Sequence, residues 1–277
     1  MKDCTVVIFL NTYHKDDVER FNQLLYPSIK FIKEKIIVIP ENVYNLKTDS
    51  SYTLLLDKKI VGNNYTIKPY DKQMMLKLYV SKFINTKYYL ILDSDIIVNK
   101  EFTVKDFFDE NNKINLSIYN GSKYIDNKHN EHYVWIQNAK KLLNIKKIKE
   151  PFYYANTPVL MITEVVIKLI NVLDEKTSGF LEYYKKYNRW QKFSEYTLYF
   201  LFAQEYNYYE NNSDIPGSIS GVWSKKDSIY NLNNKSIFFV IQSHLNINIQ
   251  TINNFLSNRL NTNLNYSYIT IENISNG

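Results

Sequence analysis

Two carboxylates one residue apart, Asp93 and Asp95, stand where the apolar run Tyr88 to Leu92 (YYLIL) ends. Side chains alternate along an extended segment, so Asp93 and Asp95 share a face while Ser94 points away. Two such charges repel each other and lose hydration. A hard divalent cation, Mn2+ or Mg2+, offsets both because it takes oxygen ligands. That ion can bridge two phosphate oxygens and stabilise charge on a departing diphosphate. Asp95 is the more natural direct ligand. Asp93 would contact a ribose or reach the ion through water. A bare Asp-x-Asp occurs often by chance in surface turns. This one is set apart by its place after an apolar strand deep in the chain, where open α/β sheets bind ligands at the carboxyl ends of their strands.

The elements that must position these residues follow from pattern. Apolar runs bounded by polar turns alternate with helical spacing, which predicts βαβ units and a mostly parallel sheet. Strands are expected at Thr5 to Leu10, Lys35 to Ile39, Tyr88 to Leu92, Ile96 to Val98, Asn115 to Tyr119, Pro158 to Ile162 and Ile237 to Ile241. Helical spacing covers Asp16 to Phe31, Lys72 to Ile84, His132 to Leu143, a helix capped by Thr163, and Glu195 to Glu205 with Ser194 as its cap. The polar stretch Glu41 to Asn64 predicts no regular element. With no repeat and no Pro/Gly/Ser-rich linker, 1–277 reads as one domain.

Composition sets outer bounds. In 277 residues, 45% are apolar and 22% charged, which excludes disorder and suits a globular domain. The abundance of Tyr, 25 residues, is explained by codon bias, although exposed aromatic rings also serve sugar-binding sites. A net charge of +6 fits a nucleotide diphosphate or a polyanionic acceptor, and no nucleic-acid motif accompanies it. Lys140, Lys141, Lys146, Lys147 and Lys149 read most simply as a solvated helix face and its exit loop. Cys4 is the only cysteine, so neither an intrachain disulfide nor a cysteine zinc site is available, and a reducing compartment is expected. The run Val6 to Leu10 is too short for a secretory signal, and no run approaches the ~18 apolar residues of a membrane helix. The expectation is a soluble protein of a bacterial or virus-infected cytosol. His129 and His132 have a metal-like spacing but no evident third ligand.

The segments Asp71 to Leu78 (DKQMMLKL), Tyr88 to Asp95 (YYLILDSD) and Asn99 to Phe102, with Asn156 to Val159 and Phe193 to Tyr199 later, carry a resemblance. Over about residues 5–245 the chain resembles a family of small predicted glycosyltransferases of bacteria and viruses, catalogued as a domain of unknown function. Its pattern is departed from at Tyr70-Asp71, where a Gly-Trp-Tyr-like entry is expected. The resemblance implies the GT-A fold, a Rossmann-like mixed sheet flanked by helices. The nucleotide-binding half would span about 1–100 and the acceptor-binding half about 101–277. It also implies a nucleotide-sugar donor, a divalent metal and a carbohydrate or glycoconjugate acceptor.

Further roles follow from that resemblance. Gln73 and Lys77, four residues apart, share a helix face. Beside the site, Lys77 would neutralise a phosphate and Gln73 would bond a sugar or base; otherwise they form an exposed polar face. Glu195 would be the general base for the acceptor hydroxyl, or would orient it. As a plain first-turn acid, the helix dipole would lower its pKa. His244, after a late strand, would complete the metal shell through a neutral imidazole, or is a structural histidine. Asn11, Thr12 and Tyr13 would cradle base and ribose, or form an ordinary loop. The function expected is metal-dependent transfer of a sugar from a nucleotide sugar to a hydroxyl. The alternatives are a haloacid-dehalogenase-like phosphohydrolase, whose motif normally continues with Thr where Ile96 stands, and a non-catalytic carbohydrate-binding protein on the same scaffold.

Overall fold

The computed structural model describes residues 3–10, 17–41, 43, 45–62, 68–108, 114, 118–150, 152–155, 157–187, 193–208, 219–242 and 245–260. The first strand, β1 (Cys4–Phe9), is buried along its whole length, and β2 (Lys35–Ile39) is buried likewise. Strands buried at every position belong inside a parallel sheet covered on both faces. Between them run α1 (Asp17–Arg20), a π-helical turn at Phe21–Leu25 and α2 (Tyr26–Ser28), with Pro27 in the first turn of α2 and the helical path ending at Ile29. The sequence had suggested one helix through Phe31. Pro27 removes a backbone donor from that path.

Where no regular element was expected, the structure has β3 (Tyr52–Leu56) and α3 (Asp57–Val61). β3 is an edge strand, with Leu54 49% exposed, so it lacks the enclosed apolar run that marks β1 and β2. Then come α4 (Pro69–Tyr79), continued as a 3-10 turn to Phe83, and β4 (Tyr88–Asp93). After the turn at Ser94-Asp95 the chain forms β5 (Ile96–Val98). β6 (Ile118–Asn120) and β7 (Tyr153–Ala155) pair as an antiparallel ribbon on either side of α5 (Glu131–Leu143).

β8 (Val159–Ile162) leads into α6 (Thr163–Thr177), followed by α7 (Phe180–Tyr187) and α8 (Glu195–Glu205). Thr163 is not the cap that its sequence position suggested. Ile162 holds the cap position, and Thr163 Oγ1 donates 2.8 Å to Thr86 O, tying α6 to the loop before β4. Ser194 does hold the cap position of α8 in an extended conformation, though its side chain makes no capping bond. The described chain closes with β9 (Ile219–Val222), β10 (Phe238–Ile241) and α9 (Ile249–Leu260).

The central sheet has the order β3-β2-β1-β4-β8. Its first four strands are parallel, and β8 is antiparallel to β4. The mixed α/β architecture, a parallel-rich sheet flanked by helices, therefore stands as expected. The chain leaves β1 toward β2 and β3, then returns to β4 on the other side of β1. In such sheets the crevice for ligands lies at this change of direction, outside the carboxyl ends of the strands, here β1 and β4. There Phe9 is in register with Asp93. A second sheet, β5-β10-β9, grows from this point, and Ile241 N donates to Asp95 O at 3.0 Å. One large core packs the central sheet against its helices; a smaller one joins Ile97, Val222, Phe239 and Ile241 to α9.

Candidate active site

The site is built around a buried lysine. α4 begins at Pro69, whose fixed backbone angle suits the first helical turn. The helix projects Gln73 and Lys77 from one face, one turn apart, over the end of β4. Lys77 is 5% exposed, and its Nζ lies 3.0 Å from Asp93 Oδ1 and 3.1 Å from Oδ2. Gln73 Nε2 donates 3.0 Å to Asp93 Oδ1. Asp93 is thus met by two donors from α4. Lys77 also lies 3.4 Å from Glu195 Oε1 and 5.1 Å from the centre of the Tyr196 ring.

Glu195 and Tyr196 reach this lysine because α8 is enclosed almost completely. Glu195 through Gln204 are all buried, and the helix packs among α4, α5, α6 and β7. A helix apolar all round needs such an enclosure, and this one carries Leu198, Phe200, Leu201 and Phe202 together with Tyr196 and Tyr199. Tyr199 Oη accepts from Ile162 N at 2.9 Å, fixing α8 to the end of β8. Beneath the site, Tyr89 Oη donates 3.0 Å to Lys77 O, so β4 also holds the backbone of α4.

Burial is the largest influence on the Lys77 ammonium and pushes its pKa down. Asp93, Tyr196 and Glu195 together outweigh it, holding the pKa well above the ordinary lysine value. For Glu195 burial also leads, and here it wins. The carboxyl is raised above its usual range although Lys77 and the local backbone donor lower it. This reverses the lowered value that a first-turn position suggests. Burial strips the hydration that the carboxylate needs, and that cost exceeds the attraction of the helix end.

The structure brings together Gln73, Lys77, Asp93 and Glu195. Ser94 is buried, its Oγ 3.4 Å from Asp17 Oδ1, which ties the turn to α1. Asp95 lies one residue on, partly exposed, where β5 begins. Asn11, Thr12, Tyr13 and His244 lie outside the described residues. Among the described residues, no cluster of three or more His, Cys, Asp or Glu side chains forms a metal-holding group. His132 stacks on Tyr124 at 4.6 Å and meets the edge of Trp135 at 4.8 Å, a packing role. Sequence spacing does not single out Tyr196 as a site residue. Its place beside Glu195 at the start of an enclosed helix was the available signal.

The sequence profile of one family matches residues 1–264. The chain belongs to DUF6492, a family of unknown function. Among curated proteins none matches this DUF6492 chain by sequence. Among solved structures it is similar to apo mouse xyloside xylosyltransferase 1, at 9% identity, covering 89% of this chain and 100% of that one, with a TM-score of 0.47. It is similar to the apo WbbM bifunctional glycosyltransferase at 13% identity and a TM-score of 0.48, covering 86% of this chain but only 45% of WbbM. It is also similar to an active-site mutant of LgtC at 12% identity, covering 92% and 95%, with a TM-score of 0.44. Among the described residues of this DUF6492 member, no helix is long and apolar enough to cross a membrane.

Proposed function

We propose that this DUF6492 protein is a GT-A glycosyltransferase that moves a sugar from a nucleotide-sugar donor to a hydroxyl of a carbohydrate or glycoconjugate. The observation that carries the reading is the Lys77, Asp93 and Glu195 cluster beside Asp95 at the crevice between β1 and β4. Buried ion pairs stabilise folds weakly compared with apolar packing. A charged cluster at a ligand crevice is better explained by chemistry.

Asp93 is already engaged by Lys77 and Gln73, so direct metal ligation there would sacrifice both contacts. Asp95 offers hard oxygen donors that suit Mn2+ or Mg2+. We assign the direct metal contact to Asp95 with His244, and to Asp93 a contact with the ribose or with a metal-bound water. When bound, the cation supplies charge compensation for the departing diphosphate. Lys77 fixes Asp93 and keeps the cluster from carrying three uncompensated negative charges. Asn11, Thr12 and Tyr13, which follow β1 in the chain, hold the nucleoside. Glu195, with its raised pKa, takes the proton of the acceptor hydroxyl or orients it. That oxygen bonds to the anomeric carbon, the bond from that carbon to the diphosphate oxygen breaks, and the nucleoside diphosphate leaves.

The test is incubation of the protein with Mn2+ and a panel of nucleotide sugars, following release of nucleoside diphosphate. Donor-selective release supports the transferase. Release of inorganic phosphate from simple phosphomonoesters, with no donor cleaved, means a phosphohydrolase instead. Metal-independent sugar binding with no turnover means a binding protein.

A further inference from the structure

The second sheet ends in an indole for which the Lys77 cluster has no use. Trp223 follows β9 and is 39% exposed. Its ring folds back over its own strand. Indole atoms Nε1 and Cε2 lie 2.4 Å from where a Cβ at Gly221 would stand, and Cζ2 lies 2.8 Å from it. A side chain at 221 would collide with the ring, so glycine makes the seat. The backbone beneath is fixed. Asp227 Oδ2 accepts from Trp223 N at 2.9 Å, from Ser224 N at 2.8 Å and from Ser224 Oγ at 3.1 Å. The ring is therefore presented by a hydrogen-bonded turn.

The register places this turn relative to the crevice. Consecutive donors at the end of β10, Ile241 N and the following Gln242 N, bond Asp95 O at 3.0 Å and Val222 O at 3.3 Å. Asp95 and Val222 thus stand level on either side of β10, at the same end of the sheet. With neighbouring strands ~4.8 Å apart, the turn that carries Trp223 starts about 10 Å from Asp95. An indole combines a broad apolar face with a polar N–H, a combination suited to ligands that are apolar on one side and wet on the other. A pyranose ring has C–H groups on its faces and hydroxyls at its rim. The surroundings favour it over a protein partner. Ser224, Lys225, Lys226 and Asp227 around the ring are exposed and polar, whereas a protein-docking anchor sits inside a wider apolar contact.

We propose that Trp223 is the platform on which a pyranose of the carbohydrate acceptor stacks, with Gly221 as the notch that seats the indole. This rests on the glycosyltransferase reading, but its test is separable. The 15N-labelled protein is titrated with methyl glycosides of glucose, galactose, mannose and N-acetylglucosamine, and the Trp223 indole N–H signal, assigned by its loss in Trp223→Phe, is followed. At least one glycoside shifts it saturably, and the same glycoside no longer binds Trp223→Ala. Gly221→Ala, which keeps the indole but dislodges it, weakens that binding at least fivefold. In transfer assays Trp223→Ala raises the acceptor KM tenfold or more, with the donor KM moving less than twofold, and Trp223→Phe recovers most of the loss. The proposal is overturned if no glycoside moves the signal, if uridine diphosphate alone moves it as strongly, or if the acceptor KM of Trp223→Ala stays within twofold of wild type. A wild type that cleaves no donor sinks the transferase reading, and the titration still decides Trp223.

Discussion

Lys77 neutralises more than one partner. Replacing it by Met leaves Asp93 and Glu195 close together with no cation between them. Removing one partner of a buried ion pair typically costs about 3–5 kcal/mol. Lys77→Met should lose that much in urea unfolding at pH 7, and less at acid pH, where the Glu195 carboxyl takes a proton. A loss below about 1 kcal/mol at pH 7 would mean that the cluster carries little charge in the fold.

Glu195 has the opposite sign of pH dependence from an ordinary paired carboxylate. Its folded pKa is raised, so folding takes up a proton between the unfolded glutamate value of about 4.3 and the folded one. Across that window its contribution to stability falls as pH rises. Lys77, with its pKa also raised, contributes stability fully present below about 10.4 and lost only as pH climbs through its folded value. Glu195→Gln should therefore gain stability relative to wild type as pH rises above the unfolded glutamate value, by thermal unfolding. If Glu195 is the base, the same variant should lose roughly 10²–10⁴-fold in transfer rate. Full activity in the variant would remove Glu195 from the reaction.

At the scale of elements, α8 is the piece that makes the cluster possible, because it carries Glu195 and Tyr196 into the interior. Its position depends on polar ties as well as apolar packing. Tyr199→Phe would leave Ile162 N, at the end of β8, without its acceptor. An unsatisfied buried donor costs about 1–3 kcal/mol, a loss readable in urea unfolding. No measurable loss would mean that Ile162 N finds water instead.

The same elements explain what the sequence made legible. β1, β2 and β4 announced themselves as continuous apolar runs because both of their faces are covered. β3 did not, because an edge strand with Leu54 exposed resembles a loop in composition. Spacing correctly put Gln73 and Lys77 on one face of α4. It gave no information on what faces them, which depends on the β4 carboxyl end lying under that helix. The raised pKa of Glu195 was hidden for a similar reason. Helix position alone suggests a lowered value, and only the enclosure of α8 by other elements reverses it.

At the scale of the whole molecule, the strand order brings the chemistry together. β1 and β4 are neighbours although some 80 residues separate them in the chain, and the crevice between their ends gathers α4, α8 and the second sheet around one turn. Most of the distances in the site are thus set by topology, with the local sequence supplying the side chains. Donor binding in this site depends on Asp95 holding a cation that a nucleotide sugar needs.

Calorimetric titration of nucleotide sugars into the protein, with and without Mn2+, measures this directly. The wild type should bind its donor at least tenfold more tightly with Mn2+. Asp95→Asn should lose that gain while keeping the wild-type thermal unfolding profile. Metal-dependent donor binding that survives in Asp95→Asn would contradict the assignment.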